Sequence, residues 1–212
     1  MAKLISSGLY CLTGEEYSNG RGNIEIVKML LDSGIKTIQY RQKAKPSLFK
    51  LKECESIKKL TRQYNANFIV NDDADIAFLV DADGVHIGQG DLPVSAVRKI
   101  IGAEKIVGVS THAPGQALKA VSDGADYIGV GPVYATQTKA DVCAAVGLEY
   151  VKWAAQNIKI PFVAIGGIKE NNITAVRDAG AKWFAMITEI VGAQNIAEKI
   201  KNIEAKIGGG NA

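Results

Sequence analysis

A chain of 212 residues is long enough to bury one sizeable core, and an α/β barrel of that length is an ordinary single domain. With 47% apolar and 22% charged residues the composition excludes a disordered chain. The mild net charge of +3 suits an anionic small molecule, and nucleic acid is not expected because no basic stripe or interleaved aromatic run occurs.

No apolar run reaches membrane-spanning length, so no membrane partner is expected. Ser6, Ser7 and Gly8 break up the apolar start, and no small-residue cleavage pattern follows, which argues against a signal peptide. Cys11, Cys54 and Cys143 are odd in number and widely spaced, with no CxxC or Cys/His cluster. That fits reduced thiols in the cytoplasm and no zinc. The sequence leaves a homo-oligomer open.

Apolar runs that read as strands are Leu9–Leu12, Thr37–Tyr40, Phe68–Val70, Gly84–Ile87, Ile106–Val109, Tyr127–Val130, Phe162–Ile165 and Trp183–Ile187. Between and after them lie helix-period segments: Ile24–Leu31, Ser47–Tyr64, Ala74–Val80, Pro93–Ile100, Pro114–Ser122, Leu148–Asn157, Asn172–Asp178 and Ile196–Ile207. Asp32-Ser33-Gly34, Ser122-Asp123-Gly124 and Asp178-Ala179-Gly180 supply stop signals. Strand and helix alternate eight times with no linker or shift in composition. Repeated right-handed crossovers between parallel strands close naturally, so the expectation is a single (β/α)8 (TIM) barrel spanning 1–212, with its core over residues 8–207 and a flexible tail at 208–212. An open doubly wound sheet is the rival, but it needs a reversal of strand order.

In such barrels chemistry sits at the C-terminal strand ends. The second strand runs into Gln39-Tyr40-Arg41-Gln42-Lys43. Side chains two apart on an extended chain share a face, so Gln39, Arg41 and Lys43 form a donor cluster for something anionic and planar. The third strand leads into Asn71-Asp72-Asp73 and the fourth into His86-Ile87-Gly88-Gln89-Gly90-Asp91. Asp73 and Asp91 each suit a helix cap. Carboxylates at adjacent strand ends can equally share Mg²⁺, and cations beside a metal describe a diphosphate site.

Ser110, after the fifth strand, can donate to a phosphate or begin a helix cap. His86 and His112 are the two histidines; neither pairs in the pattern with a Ser or Cys nucleophile, so both are read as structural. The loop after the sixth strand, from Gly131 to Gly147, carries Thr136, Gln137, Thr138 and Lys139 and is long enough to close over a ligand. Gly166-Gly167 after the seventh strand lets backbone amides approach an anion, and Ile187-Thr188 after the eighth completes that pocket through main-chain groups.

Taken together and in this order, these motifs resemble the thiamine-phosphate synthase family. The Gln39 to Lys43 segment matches its Q-x-R-x-K, Asn71-Asp72-Asp73 its N-D-D, and His86 to Asp91 its H-x-G-Q-x-D. Gly108–Ser110, Gly131-Pro132 with Thr136 to Lys139, and Ile165-Gly166-Gly167-Ile168 also match, so that the likeness runs from Leu9 to Ile190. The resemblance implies a (β/α)8 barrel and a transferase. Hydroxymethylpyrimidine diphosphate loses pyrophosphate, and the nitrogen of a thiazole phosphate attacks the methylene carbon to give thiamine phosphate. It implies a dissociative step assisted by Mg²⁺, and no protein nucleophile.

The resemblance also implies roles. Gln39 bonds the pyrimidine, within a diphosphate-binding segment that includes Tyr40 and Gln42. Arg41, Lys43, Asn71, Ser110 and Lys139 hold the diphosphate; Arg41, Lys43, Ser110 and Lys139 are implied to assist its departure. Asp72 and Asp91 ligate Mg²⁺. Thr136, Gln137, Thr138, Gly167, Ile187 and Thr188 hold the thiazole phosphate. Two positions depart from the family pattern: Gly14, where an aspartate is frequent, and Thr188, where serine is commoner. A thiazole tautomerase of the same fold would have no use for the diphosphate clamp, and a non-catalytic thiamine-phosphate sensor would need an output domain or surface.

Overall fold

Eight short parallel strands, each hydrogen-bonded to the next and the last to the first, make a closed barrel in the computed structural model, which describes residues 8–136, 138 and 143–208. The strands are β1 (Gly8–Leu12), β2 (Thr37–Tyr40), β3 (Asn67–Asn71), β4 (Gly84–Ile87), β5 (Ile106–Thr111), β6 (Tyr127–Val130), β7 (Phe162–Ile165) and β8 (Trp183–Met186). The helices are α1 (Asn23–Asp32), α2 (Ser47–Gln63), α3 (Ala74–Leu79), α4 (Val94–Ile101), α5 (Pro114–Ser122), α6 (Gly147–Asn157), α7 (Ile173–Asp178), α8 (Thr188–Val191) and α9 (Ile196–Ile207). Register such as Tyr10↔Ala185 and Cys11↔Met186 between β1 and β8 closes the ring.

The period of two along each strand divides the chain between two environments. Ile38 and Tyr40 on β2, like Val85 and Ile87 on β4, are buried on the outer face, where the helices lie. Gln39 and His86, of opposite parity, face the bore. The helices answer with narrow apolar stripes. Val94, Val97 and Ile101 on α4, and Ile196, Ile200 and Ile203 on α9, are buried at three- and four-residue spacings. Each such side chain contributes about 1.5–3 kcal/mol by leaving water.

The three stop tripeptides stand where α1, α5 and α7 end. Three features differ from the sequence expectation. Strand β5 runs on through Thr111, so Ser110 lies within the ladder opposite Gly129 rather than in a loop, and α5 starts too far on, at Pro114, for Ser110 to cap it. Asn71 likewise belongs to β3, opposite His86. The short helix α8 interrupts what reads as a plain loop after β8. Its single turn is below the length at which hydrophobic periodicity can be recognised.

Candidate active site

A cavity of about 690 Å³ opens at the C-terminal ends of the strands, walled by the segments that follow β5 to β8. Beneath it is a recess of about 20 Å³ bordered by Tyr10, Gln39, Arg41, Asn71, His86 and Tyr127. Ser110, Gly129, Ile165 and Ala185 border both, so the recess is the floor of the cavity. It has room for little more than one water-sized group, so anything larger must occupy the cavity above.

The β2 end is fixed by β1. The hydroxyl of buried Thr13 accepts from the Arg41 amide at 2.8 Å and reaches the Arg41 carbonyl at 3.2 Å, clipping the two strand ends together. Arg41 is 6% exposed, and its Nε is buried without a hydrogen-bond partner among the described residues. The nearest carboxylate, on Glu16, stands 3.6 Å from Nη1. A buried guanidinium donor left unpaired is costly, so it calls for an explanation beyond packing.

Lys43 extends from the next loop, largely exposed, and pairs with Asp72 at 2.9 Å. Asp72 takes a left-handed backbone at φ +63° and donates its amide to the His86 carbonyl at 2.8 Å, which ties the loop after β3 to β4. Asp73 stands at the N-cap of α3, but its carboxylate pairs with Lys50 on α2 instead of bonding the first turn. Asp91 does not cap: Pro93 stands at the N-cap of α4, and Asp91 accepts from the Gly88 amide within its own loop.

Two residues of the β2 segment lie off the site. Tyr40 faces outward, by the alternation that turns Gln39 inward, and its hydroxyl donates to Glu53 of α2 at 2.7 Å. Burial, then the Glu53 carboxylate, push that hydroxyl well above the ordinary tyrosine range. Gln42 turns back on its loop, accepting from the Ala44 amide, with its Nε2 3.4 Å from Glu15. Neither borders the cavity or its floor.

The opposite wall is built differently. Thr136, Thr138, Gly167, Ile187 and Thr188 all border the cavity, as the sequence expects; Gln137 and Lys139 lie outside the described residues. Thr136 and Thr138 hydroxyls are 3.0 Å apart, and Tyr17 donates to the Thr138 carbonyl. Gly167, at φ +62°, lies against the loop after β6: a Cβ there would come within 2.7 Å of the Ala135 carbonyl oxygen. The glycine thus serves close packing of two loops as well as access to the cavity. At Gly14 a Cβ would meet Ile187 Cγ2 at 2.5 Å, so an apolar contact occupies the place of the family's aspartate.

Sequence reading missed the barrel interior. His86, taken as structural, borders the floor and contacts Tyr127 at 2.8 Å through Nδ1 and the Ser110 hydroxyl at 2.8 Å through Nε2. Tyr127 reaches Tyr10 at 2.7 Å, and Tyr10 accepts from Gln39 at 2.8 Å. Burial raises both tyrosine hydroxyls well above their usual range, so each stays protonated and able to donate. Gly108 gives the Tyr127 ring its space, since a Cβ there would lie 2.1 Å from the ring. Polar residues at inward strand positions were the available signal. Lys169, which borders the cavity after β7, was also overlooked; its ammonium makes no ion pair among the described residues.

For a metal, Asp72 and Asp91 offer hard oxygen donors, and no group of three or more His, Cys, Asp or Glu is placed to hold an ion among the described residues. Carboxylate oxygens are donors of the kind Mg²⁺ takes, since that ion uses one or two carboxylates and completes its shell with water and substrate oxygens.

Fold and site together define a (β/α)8-barrel enzyme with a polar cleft at its C-terminal rim. A model of the family described as thiamine monophosphate synthase matches residues 9–190. The chain is 52% identical to a thiamine-phosphate synthase of Pelotomaculum thermopropionicum, covering 98% of this chain and 95% of that one. It is 55% identical to one from Lawsonia intracellularis, covering 96% and 94%. A solved thiamine phosphate pyrophosphorylase from Pyrococcus furiosus superposes with a TM-score of 0.86 at 33% identity, over 94% of each chain. This chain belongs to the thiamine monophosphate synthase family, whose members are transferases. The tautomerase and sensor readings gain no support from these relatives. Among the described residues no helix is long and apolar enough to cross a membrane.

Proposed function

We propose that the cleft joins a hydroxymethylpyrimidine diphosphate to a thiazole phosphate, with the diphosphate over the Arg41 side of the floor and the thiazole phosphate against the glycine and threonine wall. The observation that carries this is Arg41, buried, with an N–H of its guanidinium unpaired at the cleft floor. The bond between the pyrimidine's methylene carbon and the diphosphate oxygen breaks, its electron pair leaving with pyrophosphate. The thiazole nitrogen then gives its lone pair to that carbon, forming the C–N bond of thiamine phosphate.

Negative charge gathers on the departing oxygens, so fixed donors there lower the barrier without a protein nucleophile. Arg41 presents a planar fork to them, Asn71 and Ser110 add neutral donors, and Lys43 stands at the rim beside Asp72. Lys139 is assigned to the same task by its motif. Gln39 meets the pyrimidine edge from the floor. Asp72 and Asp91 would hold Mg²⁺, which when bound supplies positive charge to the leaving group. Thr136 and Thr138, the amides around Gly167 and Thr188, and the Lys169 ammonium receive the thiazole phosphate. The free thiols Cys11, Cys54 and Cys143 agree with a cytoplasmic setting.

Mixing the two phosphorylated substrates with the protein and Mg²⁺ should release pyrophosphate and thiamine phosphate in equal amounts; no product would overturn the reading. In the same assay Asp91→Ala should remove most activity while leaving the fold intact, because Asp91 sits in an exposed loop. Unchanged activity across a Mg²⁺ titration would remove Asp91 from the metal site.

A further inference from the structure

Gln39, Tyr10, Tyr127, His86 and Ser110 form one continuous line of hydrogen bonds across the barrel interior. Counting protons along it gives the line a direction. The Gln39 Nε2 can only donate, so the Tyr10 oxygen accepts; of the two directions open to the Tyr10–Tyr127 bond, only donation from Tyr10 leaves both tyrosine protons partnered. The Tyr127 proton then has one partner left, Nδ1 of His86. That nitrogen is therefore an acceptor, and a neutral ring carries its proton on Nε2, which donates to the Ser110 hydroxyl oxygen. Ser110 keeps its own proton free, at a position that borders both the recess and the cavity. Its main chain is pinned from the other side, where Gln89 Nε2 donates to the Ser110 carbonyl at 2.7 Å.

We infer that His86 is a positioning residue, set as the Nε2-protonated tautomer by Tyr127 and Tyr10, so that the Ser110 hydroxyl is presented to the cavity as a donor. With the Gln39 amide turned over, every bond in the line would reverse and the Ser110 proton would point inward to His86. The end that meets the pyrimidine thus sets the polarity of the end that meets the diphosphate of the same substrate. The identity of the recipient, an oxygen of the departing diphosphate, rests on the transferase reading; the proton order does not.

The second histidine provides an internal standard. His112 Nδ1 faces the Gly131 carbonyl, an acceptor, so when neutral that ring must be protonated on Nδ1. Nitrogen NMR of histidine-labelled protein, recorded where both rings are neutral, should show opposite tautomers, with His86→Gln removing one set of signals to assign them. In Tyr10→Phe, which keeps the ring and deletes the relay hydroxyl, His86 should become a mixture of tautomers. The same variant should lose about tenfold in kcat, one oriented hydrogen bond's worth, with the KM for thiazole phosphate unchanged.

A His86 proton on Nδ1 in the native protein, or a tautomer indifferent to Tyr10→Phe, would overturn the inference. Native protein with His86 protonated on Nε2 but forming no thiamine phosphate would overturn the transferase reading alone. Product formation with His86 protonated on Nδ1 would overturn this inference alone.

Discussion

The two sides of the cleft are built by different means. Around β2 to β4 the groups are charged side chains on strand ends and loops that neighbouring elements hold: the Arg41 main chain by Thr13, the Lys43 ammonium by the Asp72 carboxylate, and the Asp72 amide by the His86 carbonyl. Around β6 to β8 they are hydroxyls and main chain, set by loops that touch where glycine leaves room. The first arrangement suits a leaving group whose charge grows during the reaction, because fixed cations act most strongly where charge develops. The second suits a phosphate whose charge stays constant and needs only to be seated. Chemistry should therefore fail when the first side is damaged, and binding when the second is.

The largest effect should come from Arg41. Arg41→Ala should lower kcat by about a hundredfold or more, the scale for losing a preorganised donor at a charge-developing centre. Arg41→Lys should recover little of it, since an ammonium cannot present the planar fork. A kcat near that of the native enzyme in steady-state assays of Arg41→Lys would show that bulk charge suffices. On the other side, Gly167→Ala meets the Ala135 carbonyl and a left-handed backbone at once. It should cost about 1–3 kcal/mol of stability and lower Tm by several degrees. The KM for thiazole phosphate should rise while kcat at saturation changes little. A fall in kcat with KM constant would erase the distinction between the two sides.

How much of this the sequence shows follows from the range of each interaction. Alternation of apolar runs with helical segments is local, and it yields the barrel and nearly every element. Rim residues are legible because barrel topology says where chemistry must sit; Gln39, Arg41, Asn71 and Ser110 meet there although three different strands or strand ends supply them. What is not legible is set by contacts distant in sequence. The hydrogen bond between Tyr10 and Tyr127 joins residues 117 positions apart, and nothing near either residue announces it. The role of Gly108 emerges only when β5 lies beside β6 and the Tyr127 ring crosses the empty position. Asp73 reads well as a cap until Lys50, two elements away by chain, offers its carboxylate a stronger partner.

The smallest predicted effect tests the boundary of the site. Tyr40 sits between Gln39 and Arg41, and a motif read along the chain gathers all three. Strand geometry separates them: the residues on either side face the bore, while Tyr40 crosses to α2. Its hydroxyl, held protonated by burial and by Glu53, donates to a carboxylate that also accepts from Asn23 Nδ2 at 3.0 Å. Tyr40→Phe removes one of those two donors and leaves the ring's packing in place. The cost should be about 1 kcal/mol, measured as a lower urea midpoint with an unchanged m-value. Both KM values and kcat should stay within about twofold of the native enzyme, well under one hydrogen bond's worth. A selective rise in the KM for the pyrimidine diphosphate, with stability unaltered, would instead return Tyr40 to the site and show that the outward face of β2 takes part in holding that substrate.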